Sequence, residues 1–348
     1  GHVDFSYEVS RALKACEGAI LLVDANQGVE AQTVANLNLC REQGLVMIPA
    51  VSKIDLPNSR PIETMAEMGL SFGIAPDAIH AVIGITGENV EELLDTVIEE
   101  VPPPEGDPDA PLRALVFDSF YDDYRGVVVF IRVIDGQVKQ GDKVRLMGSR
   151  KTQEVSELGI FRPQMTERET LSCGEVGYLI TGIKSIREVQ IGDTVTHADN
   201  PAQEQLEGYR EPKPMVYCGL FPESNDDYED LRSALDKLYL NTSSFVFDQE
   251  TSEALGFGFR CGFLGPLHMD ITQQRLEREN GLSIVQTAPN VTYQLEKVDG
   301  EVVEIDRPSE MPDRGQVESV SEPWVELTII CPTDYVGNVM KLAEKRRA

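Results

Sequence analysis

The sequence has few cysteines, and they are widely scattered. The six lie at positions 16, 40, 173, 218, 261 and 331, so no pair has the short spacing of a Cys-x-x-Cys metal site. The same scatter excludes the dense disulfide framework of a small secreted domain. Several of the six lie in apolar runs, and we interpret them as reduced interior thiols, which are typical of a cytoplasmic protein.

The sequence is also poor in basic residues and in long apolar runs. Lysine and arginine total 31 against 59 aspartates and glutamates, which gives a net charge of −28 at pH 7. A surface of that charge repels phosphates, so it argues against general nucleic-acid binding, although a local basic patch is compatible with it. No apolar run approaches the roughly 18 residues that a membrane-spanning helix needs, and we expect no such helix.

Residues 1–104 alternate between two hydrophobic patterns, helical spacing and short apolar runs. The predicted elements are helices at 6–17, 30–42 and 88–100 and strands at 19–23 and 45–51. Strands that alternate with helices predict right-handed βαβ units on a parallel sheet. We therefore expect an α/β domain, which three consecutive prolines at 102–104 end.

The rest of the chain changes character twice, so the predicted fold is multidomain: α/β, then β-barrel, then α+β. Residues 112–198 contain short β-rich runs between glycine turns, which predicts a small β-barrel. Residues 214–287 have the βαββαβ order of a ferredoxin-like domain, and 288–348 are expected to begin a further one. The elements predicted in that last part are a hairpin strand at Val302–Ile305, a strand at 324–331 and a helix at 334–346.

A short polar motif, Ser-Lys-Ile-Asp, follows the strand predicted at 45–51. The carboxyl ends of buried strands are where open α/β sheets bind ligands. In an [N/T]-K-x-D motif the aspartate accepts from the N1–H and N2 amino groups of guanine, a donor pair that adenine lacks, and the lysine stem lies along the purine face. Ser52, Lys53 and Asp55 are therefore candidate guanine-binding residues. The alternative is an ordinary solvated turn.

The first residues form a second motif, Gly1-His2-Val3-Asp4-Phe5, directly before the helix predicted at 6–17. It resembles the end of the D-x-x-G-H switch of translational GTPases, in which the glycine N–H meets the γ-phosphate and the histidine orients the attacking water. By that resemblance Gly1 is a candidate for nucleotide binding and His2 is the candidate catalytic residue. The alternative for His2 is a surface histidine near the end of the chain.

Longer stretches extend the resemblance over the whole chain. Segments such as EGAILLVDANQGVEAQTVAN, YRGVVVFIRVIDG, GFGFRCGFLG and LHMDITQQRLERE are similar to the elongation factor 4, or LepA, family of ribosome-binding translational GTPases. The resemblance implies the carboxyl-terminal part of a GTPase domain, a β-barrel of the domain II type and a ferredoxin-like domain of the domain III type. The related elongation factor G is the second candidate within this class.

The resemblance also implies an activity, cofactors and partners. Members of the family hydrolyse GTP, with Mg²⁺, on ribosomes that carry tRNA, and they contact rRNA and ribosomal proteins. Hydrolysis is coupled to the remodelling or back-translocation of the bound tRNAs. The resemblance further implies a monomeric, cytoplasmic protein, with peripheral association at the cytoplasmic face of the cell membrane.

The sequence departs from the family pattern in three places. It contains no G-x-x-x-x-G-K-[ST] phosphate loop, which in the family lies upstream of Gly1 together with the Mg²⁺ ligands, so we expect the chain by itself to be inactive. Ser52 replaces an asparagine, and Ile83-Gly84-Ile85 replaces Ser-Ala-Lys. One lost hydrogen bond costs about 0.5–1.5 kcal/mol, or roughly three- to tenfold in affinity. The alternative function is a ribosome-binding module that has lost nucleotide control.

Three residues of the predicted ferredoxin-like domain have both a structural and a functional interpretation. For Arg260 the sequence leaves open whether it contacts the ribosome or another domain, or packs against its own sheet. Cys261 is predicted to be a core residue, because no histidine or aspartate lies at a suggestive local spacing from it. His268, near the start of its predicted helix, is predicted to be a packing residue.

Overall fold

The structure is a computed structural model, and it describes residues 3–122, 124–183, 188–208, 214–241, 245–252, 254–288, 290–305, 310–324 and 326–346. Backbone contacts divide the chain into two compact units. Residues 1–17 and 102–321 form one unit, and residues 18–101 and 322–348 form the other.

Helices and strands alternate in the first hundred residues, and strands predominate after residue 112. In chain order the helices are α1 Ser6–Leu13, α2 Ala31–Glu42, α3 Pro61–Phe72, α4 Val90–Glu100, α5 Tyr228–Asn241, α6 Pro266–Asn280 and α7 Val336–Lys345. The strands are β1 Gly18–Asp24, β2 Val46–Ser52, β3 His80–Val82, β4 Arg113–Asp122, β5 Gly126–Asp135, β6 Gln137–Lys139, β7 Lys143–Leu146, β8 Thr152–Glu154, β9 Glu157–Arg162, β10 Gln164–Glu167, β11 Thr170–Ser172, β12 Val176–Ile180, β13 Thr194–His197, β14 Val216–Pro222, β15 Val246–Ser252, β16 Gly256–Phe263, β17 Ile284–Gln286, β18 Tyr293–Lys297, β19 Val302–Ile305 and β20 Val317–Ser321.

The strands β1, β2 and β3 form a parallel sheet in that order. The middle strand is an almost continuous apolar run, as expected for a strand that is covered on both faces. Its residues Ile48, Ala50 and Val51 are fully buried. The two strands predicted in this region are confirmed, and so is the parallel pairing that the alternation with helices implied.

The sequence analysis missed helix α3 and strand β3. Helix α3 has Pro61 in its first turn and ends at Gly73, whose φ of 69° suits a residue without a side chain. The pair Met68 and Phe72, with helical i, i+4 spacing, is buried and was the available signal. Strand β3 has three residues, and hydrophobic periodicity does not show in so short a run.

In the first unit, residues 113–197 form an antiparallel sheet with the strand order β10-β9-β12-β5-β4-β13-β7-β8. A single apolar core contains residues from strands near both ends of this order, such as Leu146 of β7 and Leu158 of β9. Strands distant in the sheet therefore share one interior, which is the arrangement that a small barrel requires.

Residues 216–286 form a second antiparallel sheet with the order β15-β16-β14-β17. If these four strands are numbered 1 to 4 along the chain, their order across the sheet is 2-3-1-4, as in a split βαβ unit. Leu231 and Leu235 of α5 and Leu276 of α6 are buried in one core with the inner face of the sheet. The six predicted elements are present in the predicted order, and the ferredoxin-like boundaries stay a prediction.

Arg260, Cys261 and His268, for which the sequence offered both a structural and a functional interpretation, are buried in β16 and α6. The Arg260 guanidinium donates to Asn290 Oδ1 over 2.9 Å and lies 5.1 Å from the centre of the Tyr217 ring, which favours packing over exposure to a partner. Cys261 is fully buried. His268 accepts the Leu264 N–H at Nδ1 over 3.2 Å, and burial lowers the pKa of its imidazole. The packing roles of Cys261 and His268 are confirmed.

The strand predicted at 324–331 is wrong. Residues 326–332 form no strand in the structure, and Leu327, Ile329 and Ile330 are exposed. A strand needs a hydrogen-bonded neighbour. Among the described residues, no sheet includes a strand from 326–332. The hairpin strand Val302–Ile305 and the following helix, observed as α7, are confirmed.

The segment that carries the Val-Asp-Phe part of the first motif is tied to helix α6. The Asp4 carboxylate accepts the backbone N–H groups of Leu267 and His268, at 3.0 and 3.1 Å, in the first turn of α6. A carboxylate there satisfies amides that have no partner inside the helix and complements the helix dipole. A side chain at Gly265 would collide with this carboxylate, so glycine permits the approach.

Helix α1 and the residues after it are tied to the eight-stranded sheet. Arg11 pairs with Asp118 of β4 over 3.1 Å, and Arg132 of β5 pairs with Glu17 and donates to the Lys14 carbonyl over 3.1 Å. These charged contacts explain why residues 1–17 belong to the same compact unit as residues 102–321.

Replacing Asp4 by alanine should destabilise the start of α6 by about 0.5–2 kcal/mol, because two helix amides lose their acceptor. Hydrogen exchange at the amides of Leu267 and His268 should accelerate, and Gly265→Ala should have the same effect by displacing the carboxylate. Asp270→Ala removes an exposed aspartate from the same helix and is the matched control. Unchanged exchange at both amides in Asp4→Ala would contradict the capping role.

Candidate nucleotide site

The register of the parallel sheet places three strand ends in one row. Asp24 of β1 pairs with Ser52 of β2, and Ser52 pairs with Val82 of β3. The segments that follow these residues therefore leave the sheet at its carboxyl edge, where α/β sheets bind ligands. The predicted guanine motif begins at Ser52, and the altered Ile83-Gly84-Ile85 segment follows Val82, so the structure brings both to the same edge.

Lys53 has a defined position although its side chain is largely exposed. Its φ is 58°, in the left-handed region that residues with a side chain rarely adopt. Its ammonium lies 2.6 Å from Asp24 Oδ2. The Asn26 N–H donates to the other oxygen of Asp24 over 2.8 Å. Hydrogen bonds from Lys53 and then from Asn26 lower the pKa of Asp24.

The sequence analysis missed Asp24 as part of this site. The available signal was an aspartate at the end of the strand that precedes the one carrying Ser-Lys-Ile-Asp. Two consecutive parallel strands bring their carboxyl ends together, so this aspartate and Lys53 had to be neighbours if the strands paired in register.

Ser52 makes its contacts within the sheet. Its hydroxyl donates to the Val23 carbonyl over 3.4 Å, and its own carbonyl accepts the Ala25 N–H over 2.9 Å. The side chain is half-buried. Ser52 therefore links β2 to β1 at the strand ends. In the described residues it makes no hydrogen bond with the loop after β3.

Asp55 presents its carboxylate to solvent. It is exposed and makes no side-chain hydrogen bond with any residue that the structure describes. The loop beneath it is nevertheless ordered by turns, because Ser59 Oγ donates to the Ile54 carbonyl over 2.9 Å and the Ser59 N–H donates to the Leu56 carbonyl over 3.0 Å. Both carboxylate oxygens are available as acceptors for a planar donor pair.

The segment after β3 is a closed turn. The Ile83 N–H donates to the Glu88 carbonyl over 3.1 Å, and the Gly87 N–H donates back to Ile83 over 2.9 Å. Ile85 exposes 96% of its surface. By the resemblance this is the position of the family's lysine, so the segment keeps a turn but has an exposed apolar side chain where the resemblance implies a cationic one.

Comparison with known proteins identifies the family to which this chain belongs. The model of the elongation factor Tu GTP binding domain matches residues 1–103, and that of elongation factor Tu domain 2 matches residues 126–196. Elongation factor 4 of Halalkalibacterium halodurans is 52% identical over the whole chain, and that of Mycolicibacterium paratuberculosis is 53% identical over the whole chain. The chain belongs to the elongation factor 4 family of translational GTPases.

The chain spans 57% of the first of these elongation factor 4 relatives and 52% of the second. A solved structure, the crystal structure of ttk003000868 from Thermus thermophilus, aligns with 85% of the chain and 58% of its own length at a TM-score of 0.66. Its sequence identity is 19%, so it supports the fold alone. The family assignment rests on the sequence relatives.

Gly1 and His2 lie outside the described residues, and their assignment from the elongation factor 4 resemblance stays a prediction. Among the described residues, no cluster of three or more histidine, cysteine, aspartate or glutamate side chains is arranged to hold a metal ion. In that same part of the chain, the helices are too short or too polar to cross a bilayer.

Replacing Lys53 by methionine should raise the pKa of Asp24 toward its ordinary value of 3.8. The pKa of Asp24 is lower in the folded than in the unfolded protein. The pair of Asp24 and Lys53 therefore stabilises the fold above about pH 4, and this stabilisation is lost as the pH falls through the lowered pKa. Lys53→Met should therefore lose stability at neutral pH and little at pH 2. Carbon-13 NMR of the Asp24 carboxyl during a pH titration measures the shift, with Lys341→Met as control. An unmoved Asp24 titration would contradict the pairing.

Proposed function

We propose that the protein containing this chain is a ribosome-associated GTPase that selects guanine through Asp55. The observation that carries this proposal is the aligned carboxyl edge of the parallel sheet. There the exposed Asp55 carboxylate follows β2 and has no hydrogen bond to any described residue, and this part of the chain matches a GTP binding domain. Its relatives are named elongation factor 4, which supports a role in translation.

The geometry of the motif fits a guanine base. Asp55 supplies two acceptor oxygens for the N1–H and N2 amino groups, and adenine offers no such donor pair. The stem of Lys53 is exposed at the same edge and covers the purine face. Ser52 and the turn at Ile83-Gly84-Ile85 lack two of the family's contacts, so we propose weakened guanine binding, with a cost of about three- to tenfold for one missing hydrogen bond.

Hydrolysis is assigned to the segment around His2. In this proposal the Gly1 N–H contacts the γ-phosphate and His2 orients the attacking water. Mg²⁺ and the phosphate loop act through residues outside the 348 present here. The chain alone is accordingly expected to bind GTP weakly and to hydrolyse none, and calorimetric titration of the chain with GTP tests this.

The same proposal extends to partners. The protein acts on ribosomes that carry tRNA, contacts rRNA and ribosomal proteins, and couples hydrolysis to remodelling or back-translocation of the tRNAs. It is a cytoplasmic monomer, with peripheral association at the membrane. What supports these statements is membership of the elongation factor 4 family, and none of them depends on the geometry of the sheet.

A second candidate function is a ribosome-binding module without nucleotide control. It is favoured by the exposed Ile85 and by the contacts of Ser52 within its own sheet, since both depart from the guanine-reading pattern. The two functions differ in whether the full-length protein binds GDP in preference to ADP.

In the full-length protein, Asp55→Asn should weaken GDP binding by about ten- to a hundredfold and reverse the preference between GDP and XDP. The amide places a donor opposite the guanine donors, whereas xanthine carries an oxygen in place of the N2 amino group. Competition between GDP and XDP measures the preference. Asp95→Asn, at an exposed aspartate of α4, should leave it unchanged. A retained preference for GDP would show that Asp55 does not read the base.

In the full-length protein, His2→Ala should lower ribosome-stimulated kcat at least about tenfold and leave GTP affinity nearly unchanged, because His2 acts on water in the transition state. Rapid-mixing assays of phosphate release and equilibrium GTP binding separate the two quantities. His80→Ala changes a histidine at the amino end of β3, away from the carboxyl edge, and is the control. Equal losses of binding and turnover would indicate a structural role for His2.

A further inference from the structure

An ion pair at the candidate site joins the ends of two neighbouring strands. Lys53 Nζ lies 2.6 Å from Asp24 Oδ2, between the segments that follow β1 and β2. We propose that Asp24 is a positioning residue for nucleotide binding: it holds the Lys53 ammonium so that the lysine stem is already placed to cover a purine. This inference rests on the proposed guanine-nucleotide function and adds a residue to it.

Asp24 is itself fixed before Lys53 reaches it. It is the last residue of β1, and its backbone carbonyl accepts the N–H groups of Gln27 and Gly28 at 3.1 and 2.9 Å. Its Oδ1 accepts the Asn26 N–H over 2.8 Å, which leaves Oδ2 facing Lys53. The side chain of Asp24 is 16% exposed, so the anion is held in the edge of the sheet.

Lys53 has the opposite character. Its side chain is 60% exposed, and its backbone φ of 58° directs the residue out of the line of β2. A free lysine stem in solvent samples many rotamers, and a ligand that needs one of them must order the chain on binding. The anchored ammonium removes most of that cost beforehand and leaves the hydrocarbon stem open to solvent.

The contact between Asp24 and Lys53 lies beside the residue that reads the base but does not involve it. Asp55 is two positions further along the chain, and in the described residues it makes no hydrogen bond or ion pair with Asp24 or Lys53. Loss of Asp24 should therefore weaken all purine nucleotides alike and leave the preference for guanine intact. This separates positioning by Asp24 from selection by Asp55.

The test is a double-mutant cycle on the affinity of the full-length protein for GDP, measured by calorimetry. Asp24→Asn keeps an acceptor for the Asn26 N–H and removes the charge, and Lys53→Met keeps the stem. Each change should weaken GDP about three- to tenfold. Asp24→Asn should cost nothing further in the Lys53→Met protein, and the ratio of GDP to XDP affinity should stay constant. Asp95→Asn is the control.

A second measurement needs no nucleotide. NMR relaxation of the Lys53 side chain in the 348-residue chain should show an ordered stem, and this order should be lost in Asp24→Asn. Should that variant not fold, Asp24→Ser supplies the same acceptor for Asn26 without the charge. A stem that is equally mobile with and without Asp24 would overturn the positioning role.

The outcomes of the affinity cycle separate this inference from the proposed function. Failure of the unaltered full-length protein to bind GDP would overturn the proposed function and the inference with it. If the protein binds GDP but the affinity losses of Asp24→Asn and Lys53→Met are strictly additive, the proposed function is retained and the inference is overturned, because Asp24 then does not act through Lys53. Tighter GDP binding in Asp24→Asn would show that the pair blocks the site, and this too would overturn the inference.

Discussion

The candidate site depends on one constraint, the in-register parallel pairing of β1 with β2. The last pair in this register is Asp24 with Ser52, so the residues after each strand leave the sheet side by side. A shift of one residue would turn the alternating side chains of β2 to the opposite face and separate Lys53 from Asp24. Burial of Ile48, Ala50 and Val51 opposes such a shift.

A second constraint acts on the segment that carries the first motif. Asp4 caps helix α6, and α1 is held to the eight-stranded sheet by Arg11 and by the pairing of Arg132 with Glu17. Through these contacts, the residues that follow His2 are connected to two sheets of the same compact unit. Under the proposed function, such contacts offer a physical route by which the arrangement of those sheets reaches the segment after His2.

The net charge of −28 limits how such a protein meets RNA. An acidic surface repels phosphates at long range, so contact with rRNA requires basic residues that are locally concentrated or delivered by other parts of the protein. Arg11 and Arg132 are committed to ion pairs within the described structure. Arg260 is buried against Asn290 and Tyr217. None of these three arginines offers its charge freely to a nucleic acid.

The sequence alone determined the elements whose pattern is local: the apolar strands, the amphipathic helices and the Ser-Lys-Ile-Asp motif at a strand end. It also showed the family, through long stretches of similar residues. It missed β3, which is too short to show a period, and it predicted a strand at 324–331 that finds no partner, because pairing is a property of two segments. Only the tertiary structure decided that Asp24 holds Lys53 and that Asp4 caps α6. The first contact depends on the register in which β1 and β2 pair, and the second joins residues that are far apart along the chain.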